Sequence, residues 1–353
     1  MTEEISNTPA PLPHKRRPRY AGKNPRRFED KYKERGSDTA TIAKVIAAGK
    51  TPAGTHRPIM VKEVLEILAP QPGNVAVDCT LGYGGHSQEI LPLLLPGGHL
   101  LGLDADPMEL PKTEARLRAL GFGPEQFSVH RSNFAGLPQI LAKTGRTGAD
   151  VILADLGVSS MQIDDPARGF SVKNEGPLDM RLNPQRGQTA AALLQKISAD
   201  ALSRLLVENA DESYAMILGA ALAGKSLNTT TELAEAIRAA LPPRSQEEYQ
   251  LSIRRVFQAL RIAVNDEFSA LDTLLRCLPT CLNPGGRVAI LTFHSGEDRR
   301  VKKAFFTGQQ QGVYAAISED VVRPSLEERN SNPRSSPAKL RWARRTPAAP
   351  VET

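Results

Sequence analysis

The chain has 353 residues, 40% of them apolar, and a formal net charge of +6. That length supports one large core, or a core carrying an inserted module, and without an apolar run of 18 residues a transmembrane helix is not expected. The three cysteines, Cys79, Cys277 and Cys281, form no C-x-x-C pair; they read as buried free thiols in a reducing, cytoplasmic setting, and no metal site is expected.

The charge is concentrated at the start. Residues 15–35 hold ten Lys or Arg against three acids, interleaved with Tyr20, Phe28 and Tyr32. Residues 1–50 are therefore expected to be a basic, mostly disordered arm suited to a phosphate backbone. Glu3 and Glu4 and the lack of a hydrophobic region are not the pattern of a secretory signal. Order is expected from His56, a candidate working residue, with Pro58 opening a helix along Ile59, Val61, Val64, Leu65 and Leu68.

The stretch VAVDCTLGYGGHS at 75–87 follows. Val75 to Val77 is a short buried strand ending in Asp78. Gly82, Gly84 and Gly85 supply a turn that lets a cofactor approach the backbone, and a helix starts near His86. A second strand from Gly98 to Leu103 delivers Asp104, 22 residues after Gly82 and where an acid bonds ribose hydroxyls. A dinucleotide fingerprint would need glycine where Ser87 stands. Asp78 would repel a pyrophosphate but accept an amino-acid ammonium group. S-adenosyl-L-methionine has a ribose at one end and an ammonium at the other, so a methyltransferase fits better than a dinucleotide enzyme or an empty turn.

Glu109 to Leu120 reads as a helix and Phe127 to His130 as the third strand, followed by Asn133 and Phe134 where the adenine would meet the sheet. A fourth strand, Val151 to Ala154, ends in Asp155-Leu-Gly-Val-Ser-Ser160. Asp155, Ser159 and Ser160 lie where the reacting groups should meet. The strand–helix rhythm then stops. Residues 164–245 read as an all-helical substrate-recognition insert, so that 51–163 and 246–345 together form a discontinuous sheet domain. The rhythm resumes with one long helix from Ile253 to Leu278, whose apolar residues do not share a single face. On it, Arg254, Arg255, Arg261, Asn265, Asp266 and Glu267 need partners or line a site. Pro284 to Gly286 reads as a turn and Arg287 to Phe293 as a strand leading to His294. Val321 to Arg345 is basic and proline-broken; Arg334, Lys339, Arg341 and Trp342 hold nucleic acid or pin the segment to the body. Residues 346–353 are expected to be a disordered tail.

Eight runs of this chain, HRPIM at 56–60, VDCTLGYGGHS at 77–87, GLDADP at 102–107, DLGVSSMQIDDPARGFS at 155–171, GPLDMRLN at 176–183, FQALRIAVNDE at 257–267, FHSGEDRRVKK at 293–303 and NPRSSPAKLR at 332–341, together resemble the RsmH (MraW) family of 16S rRNA cytosine-N4 methyltransferases. The resemblance implies an α/β fold: a class I S-adenosylmethionine-dependent methyltransferase, with a Rossmann-like doubly wound sheet and an inserted all-helical domain. It implies N4-methylation of cytosine 1402 in the decoding centre of 16S rRNA, in the small ribosomal subunit, with no metal, DNA or membrane. Carried over by motif, the cofactor contacts are Gly84, Gly85, His86, Asp104, Phe134, Asp155 and Gln162. Asp78, Gly82 and Asn133 join them from the spacing alone. Asp155, Ser159, Ser160 and His294, then Asn265 and Asp266, are the candidates for orienting the amine or accepting its proton. The chain departs from the family pattern at 209–220, at 251–256 and at 295–298. The alternatives are a paralogue methylating another RNA cytosine and a non-catalytic RNA-binding assembly factor.

Overall fold

The computed structural model describes residues 58–348. The arm expected over 1–50, His56, and residues 349–353 of the expected tail lie outside the described residues. The first helix, α1 (Val61–Leu68), starts three residues beyond Pro58, because Met60 takes a left-handed conformation at φ 56° and turns the chain into it.

Strand and helix then alternate: β1 (Val75–Asp78), α2 (Gly85–Leu94), β2 (His99–Asp104), α3 (Leu110–Ala119), β3 (Phe127–Arg131), α4 (Leu137–Lys143), β4 (Ala149–Asp155) and the short α5 (Ser160–Asp164). Five helices follow without a strand: α6 (Ala190–Lys196), α7 (Ala199–Ala210), α8 (Ala215–Leu222), α9 (Thr230–Ala240) and α10 (Gln246–Asn265). The sheet rhythm returns with α11 (Glu267–Cys281), β5 (Leu282–Thr292), α12 (Ser295–Gln310), β6 (Tyr314–Ile317), α13 (Leu326–Ser331) and β7 (Lys339–Arg345).

The seven strands form one sheet in the order 3-2-1-4-5-7-6. Strands 1 to 5 are parallel, and β7 runs antiparallel between β5 and β6. This order and single reversed strand are those of the class I methyltransferase sheet. Alternate residues of each inner strand feed opposite faces, as the period of two demands. Val77, Leu101, Leu103, Ile152, Ala154, Val288 and Ile290 pack against α4, α11 and α12. Ala76, Leu100, Val151, Leu153, Ala289 and Leu291 pack against α1, α2 and α3. The order reverses between β1 and β4, which opens a crevice at the carboxyl ends of those strands.

The insert has its own apolar cluster, built from Leu178, Leu194, Leu202, Leu206, Leu218, Leu233 and Ile237, with Ile253, Val256, Phe257 and Leu260 of α10. Packing therefore joins α10, which lies beyond the boundary expected at 245, to this cluster. The single helix expected over 253–278 is two helices, broken where Asp266 turns left-handed at φ 52°. This explains the apolar pattern that fitted no single face: α10 buries its stripe in the insert, while Leu271, Leu274 and Leu278 of α11 face the sheet. Pro284 to Gly286 is a bulge inside β5, where pairing with β4 shifts register between Ala149 and Val151. The basic C-terminal segment forms β7. Its Lys339 and Arg341 both bond Asp298, at 3.1 and 2.6 Å, and Arg334 bonds both oxygens of Asp164, at 2.7 and 2.8 Å. These cations pin the segment to the body. Among the described residues no helix is long and apolar enough to cross a membrane.

Candidate active site

Three aspartates end neighbouring parallel strands: Asp78 on β1, Asp104 on β2 and Asp155 on β4. Their carboxyl groups differ in what they already hold. Asp78 is buried, its Oδ2 accepting from Ser87 Oγ at 2.7 Å and its Oδ1 from Thr80 N at 3.1 Å. Expected to take an ammonium group, it lies inward, where its bonds to Ser87 and Thr80 brace the glycine turn. Burial raises its pKa above the ordinary range.

Asp104 accepts Gly82 N at 2.7 Å and Asp106 N at 2.8 Å, one on each oxygen. Burial pushes its pKa up to about 6, against the pull of those two amides. A carboxylate has about four acceptor positions, so each oxygen keeps capacity for a hydroxyl. The turn between β1 and α2 is left-handed at Gly82 (φ 48°) and Gly84 (φ 72°), and a Cβ on Gly84 would stand 2.9 Å from Thr113 Cγ2. Gly85 opens α2 against Pro58, and His86 follows, its Nε2 donating to Ile59 O at 2.9 Å.

With Nε2 so engaged, His86 presents Nδ1 to Asp155 Oδ2 at 3.8 Å. Asp155 N donates to Thr80 Oγ1 at 2.7 Å, which locks the end of β4 to the end of β1. Asp155 Oδ1 is buried and has no hydrogen-bond partner. Burial pushes this carboxyl up to about 6, opposed by His86 and helped by the like charges of Asp78 and Glu297. A buried acceptor without a donor is an incomplete arrangement, and it is the feature that points to a ligand here.

Past Asp155, Gly157 is left-handed at φ 93° and Ser159 caps α5. Ser159 Oγ accepts Gln162 N at 3.2 Å, and Ser159 N donates to Gln162 Oε1 at 2.9 Å. Ser160 is the first residue of α5. Asn133 and Phe134 follow β3 on the same edge of the sheet; Asn133 is exposed, and Phe134 lies half-buried against the core.

Of the remaining candidates, His294 follows β5 at the same end of the sheet, where Leu291 pairs with Asp155, whereas Asn265 and Asp266 lie at the end of α10. Asn265 spends its whole amide on structure: Oδ1 accepts Leu182 N at 2.7 Å, and Nδ2 donates to Met180 O and Arg261 O at 2.8 and 2.9 Å. Asp266 is exposed at the break between α10 and α11. His294 is half-buried between Phe268, with ring centroids 5.7 Å apart, and Glu297, whose Oε1 is 3.2 Å from Nε2. Glu297 also accepts Phe293 N at 2.8 Å, and these partners hold its pKa low despite burial. Of the cations on the former long helix, Arg261 finds Glu267 through two bonds of 2.9 and 2.8 Å.

Asp106 and Arg168 were not singled out from the sequence. Asp106 is 1% exposed and receives Arg168 Nη1 at 2.8 Å and Gln162 Nε2 at 2.9 Å on one oxygen. The doubled acid in GLDADP was a signal for the first; nothing local marks the second. The three departures from the family pattern meet one another. Asp211 accepts Ser295 Oγ at 3.0 Å and Arg299 Nη1 at 3.1 Å, and Glu212 accepts Ser252 Oγ at 3.2 Å. Gly296 leaves room for Phe268, whose Cζ would lie 2.6 Å from an added Cβ. Together these contacts form a seam between the insert and α12.

Comparison with known proteins fits this geometry. The model of the family described as MraW methylase family matches residues 53–346. A protein of Lachnoclostridium phytofermentans named ribosomal RNA small subunit methyltransferase H 1 is 50% identical over 341 residues, covering 94% of this chain and 93% of its own length. One of Alkaliphilus metalliredigens, named ribosomal RNA small subunit methyltransferase H 2, is 50% identical over 339 residues, covering 93% of this chain and 97% of its own length. One of Heliobacterium modesticaldum, named ribosomal RNA small subunit methyltransferase H, is 39% identical over 309 residues, at 82% and 97%.

Proposed function

Since the chain belongs to the MraW methylase family, we propose that it transfers a methyl group from S-adenosylmethionine to N4 of a cytosine, cytosine 1402 in the decoding centre of 16S rRNA, within the small ribosomal subunit. The observation that carries this reading is the orphaned, buried Oδ1 of Asp155 beside the glycine turn, one strand from Asp78 and two from Asp104. The residues suit the cofactor. Asp104 keeps acceptor capacity for ribose hydroxyls, Gly82 leaves room where a side chain would stand, and Phe134 offers a half-buried ring at the end of β3. When bound, S-adenosylmethionine supplies a methyl group on a positively charged sulfur.

The chain's own work is positioning and proton handling. A cytosine exocyclic amine is a weak nucleophile, since its lone pair is shared with the ring. Holding it in line raises its effective concentration steeply. Asp155 Oδ1 accepts a hydrogen bond from that amine, orients its lone pair, and takes a proton as the amine acquires its fourth bond. A carboxyl raised to about 6 is a stronger base than an ordinary one, yet mostly ionised at neutral pH. The insert and the seam beside α12 present the RNA. The cations of 15–35 add sequence-independent phosphate contacts.

The test is transfer of labelled methyl from S-adenosylmethionine to small subunits lacking the modification, with nucleoside analysis and mapping of the product. N4-methylcytidine at position 1402 is the expected result. Cofactor binding with label at another cytosine, or with none incorporated, overturns the assignment of target.

A further inference from the structure

Asp106 is a junction. Its backbone N–H donates to Asp104, the acid assigned above to the ribose, at 2.8 Å. Its Oδ2 collects Gln162, which itself receives Ser159 N from the turn after Asp155. The same oxygen collects Arg168. Both turns on the cofactor side thus end on one buried residue, the first at its backbone N–H and the second at its carboxylate.

Arg168 lies in the 3₁₀ turn Pro166–Arg168, where the chain enters the insert, and is 8% exposed. One guanidinium nitrogen faces Asp106. The other donates to two successive carbonyls of the insert, Arg181 O at 3.1 Å and Leu182 O at 2.9 Å. Its own carbonyl accepts Met180 N at 3.1 Å. Met180 stands in the left-handed region at φ 64°, a conformation that a bulky side chain holds only under constraint. From the far side Asn265 grips the same loop, bonding Leu182 N and Met180 O. Arg261 O accepts the remaining amide hydrogen of Asn265, and Arg261 is clamped on Glu267 at the start of α11. Every link in this series is a hydrogen bond of 3.1 Å or less between named groups.

We propose that Arg168 is a positioning residue that couples cofactor occupancy to the conformation of the insert loop 179–182, so that the RNA-facing insert is set only when the cofactor side is filled. This rests on the cofactor reading given above. The planar guanidinium spans a carboxylate on one side and two carbonyls on the other. A ligand that fixes Asp104 and the turn after Asp155 fixes both inputs to Asp106, and through Arg168 the two carbonyls. A lysine keeps the charge against Asp106 but has no fork with which to hold the loop.

Amide hydrogen exchange on the full chain, with and without S-adenosylhomocysteine, tests it. In the unaltered protein the nucleoside should slow exchange at 80–86 and 104–106, and also at 178–183 by about fivefold or more. In Arg168→Lys protection at 80–86 should persist, with cofactor affinity within about threefold, while the response at 178–183 disappears. Protection at 80–86 without any response at 178–183 in the unaltered protein overturns the coupling and leaves the cofactor reading standing. Absence of protection at 80–86 overturns both. A retained loop response in Arg168→Lys overturns the role of Arg168, and a failure of that variant to fold leaves the unaltered protein's own loop response as the deciding measurement.

Discussion

Asp155 is charged into a place where no donor waits for it. Between the ordinary carboxyl pKa of 3.8 and its raised value of about 6, the folded chain keeps a proton here that the unfolded chain releases. Its ionisation therefore destabilises the fold increasingly as pH rises through that window, and fully above it. Asp155→Asn should make the ligand-free protein more stable, by up to about 3 kcal/mol at pH 7.5, with the gain fading toward pH 4. Urea unfolding at the two pH values reads this directly. The same variant should lose methyl transfer by about 100-fold or more while cofactor affinity changes little; a loss confined to cofactor affinity would assign Asp155 to the ammonium group instead. In the unaltered enzyme, the rate should rise with pH through about 6 as Asp155 deprotonates. The strand-end places of Asp104 and Asp155 were legible in the sequence, the first from its distance to Gly82 and the second from the apolar run before it. Arg168 was not found, because its partner Asp106 is 62 positions away and spacing along a chain carries no record of such a contact. Asp78 was assigned by residue type, and only the structure shows that it is buried, with Ser87 and Thr80 each donating to one of its oxygens.

Among the elements, the break at Asp266 separates two helices with different duties. Asp266 is the left-handed cap of α10, with its N–H bonded to Ile262 O. Asp266→Gly removes the Cβ from a φ of 52° and should leave stability unchanged or raise it by about 0.5–1 kcal/mol, with methyl transfer intact. Thermal unfolding together with the transfer assay checks both, and a large loss of activity at unchanged stability would return Asp266 to the chemistry. This break was hidden because α10 and α11 both carry Leu and Phe at helical spacing, and one apolar period passes into the next across a single residue. β7 was hidden for the opposite reason. In KLRWARR the cations interrupt the apolar alternation, and Arg341 is buried only because Asp298 receives it. Strands 1, 2 and 4 were plain in outline, since each carries an apolar run that ends in aspartate.

In the whole molecule, the insert interrupts the sheet at its centre. Asp155 and Leu291 are neighbours across β4 and β5, although 136 positions separate them (291 − 155). Bringing such distant segments together as open chain carries a loop-closure entropy that grows with length. The insert changes this, because it has a cluster of its own and can shorten the connection by collapsing first. Leu206→Ala, in the middle of that cluster, should destabilise the protein by about 2–5 kcal/mol. Most of that loss should appear as slower refolding, with unfolding little faster. Stopped-flow kinetics would show it, and an unchanged refolding rate would mean that the sheet assembles without waiting. The helical module between β4 and β5 would then act as a splint during the protein's assembly. A substitution within the insert would be filtered first by whether the two halves of the sheet still find each other in time.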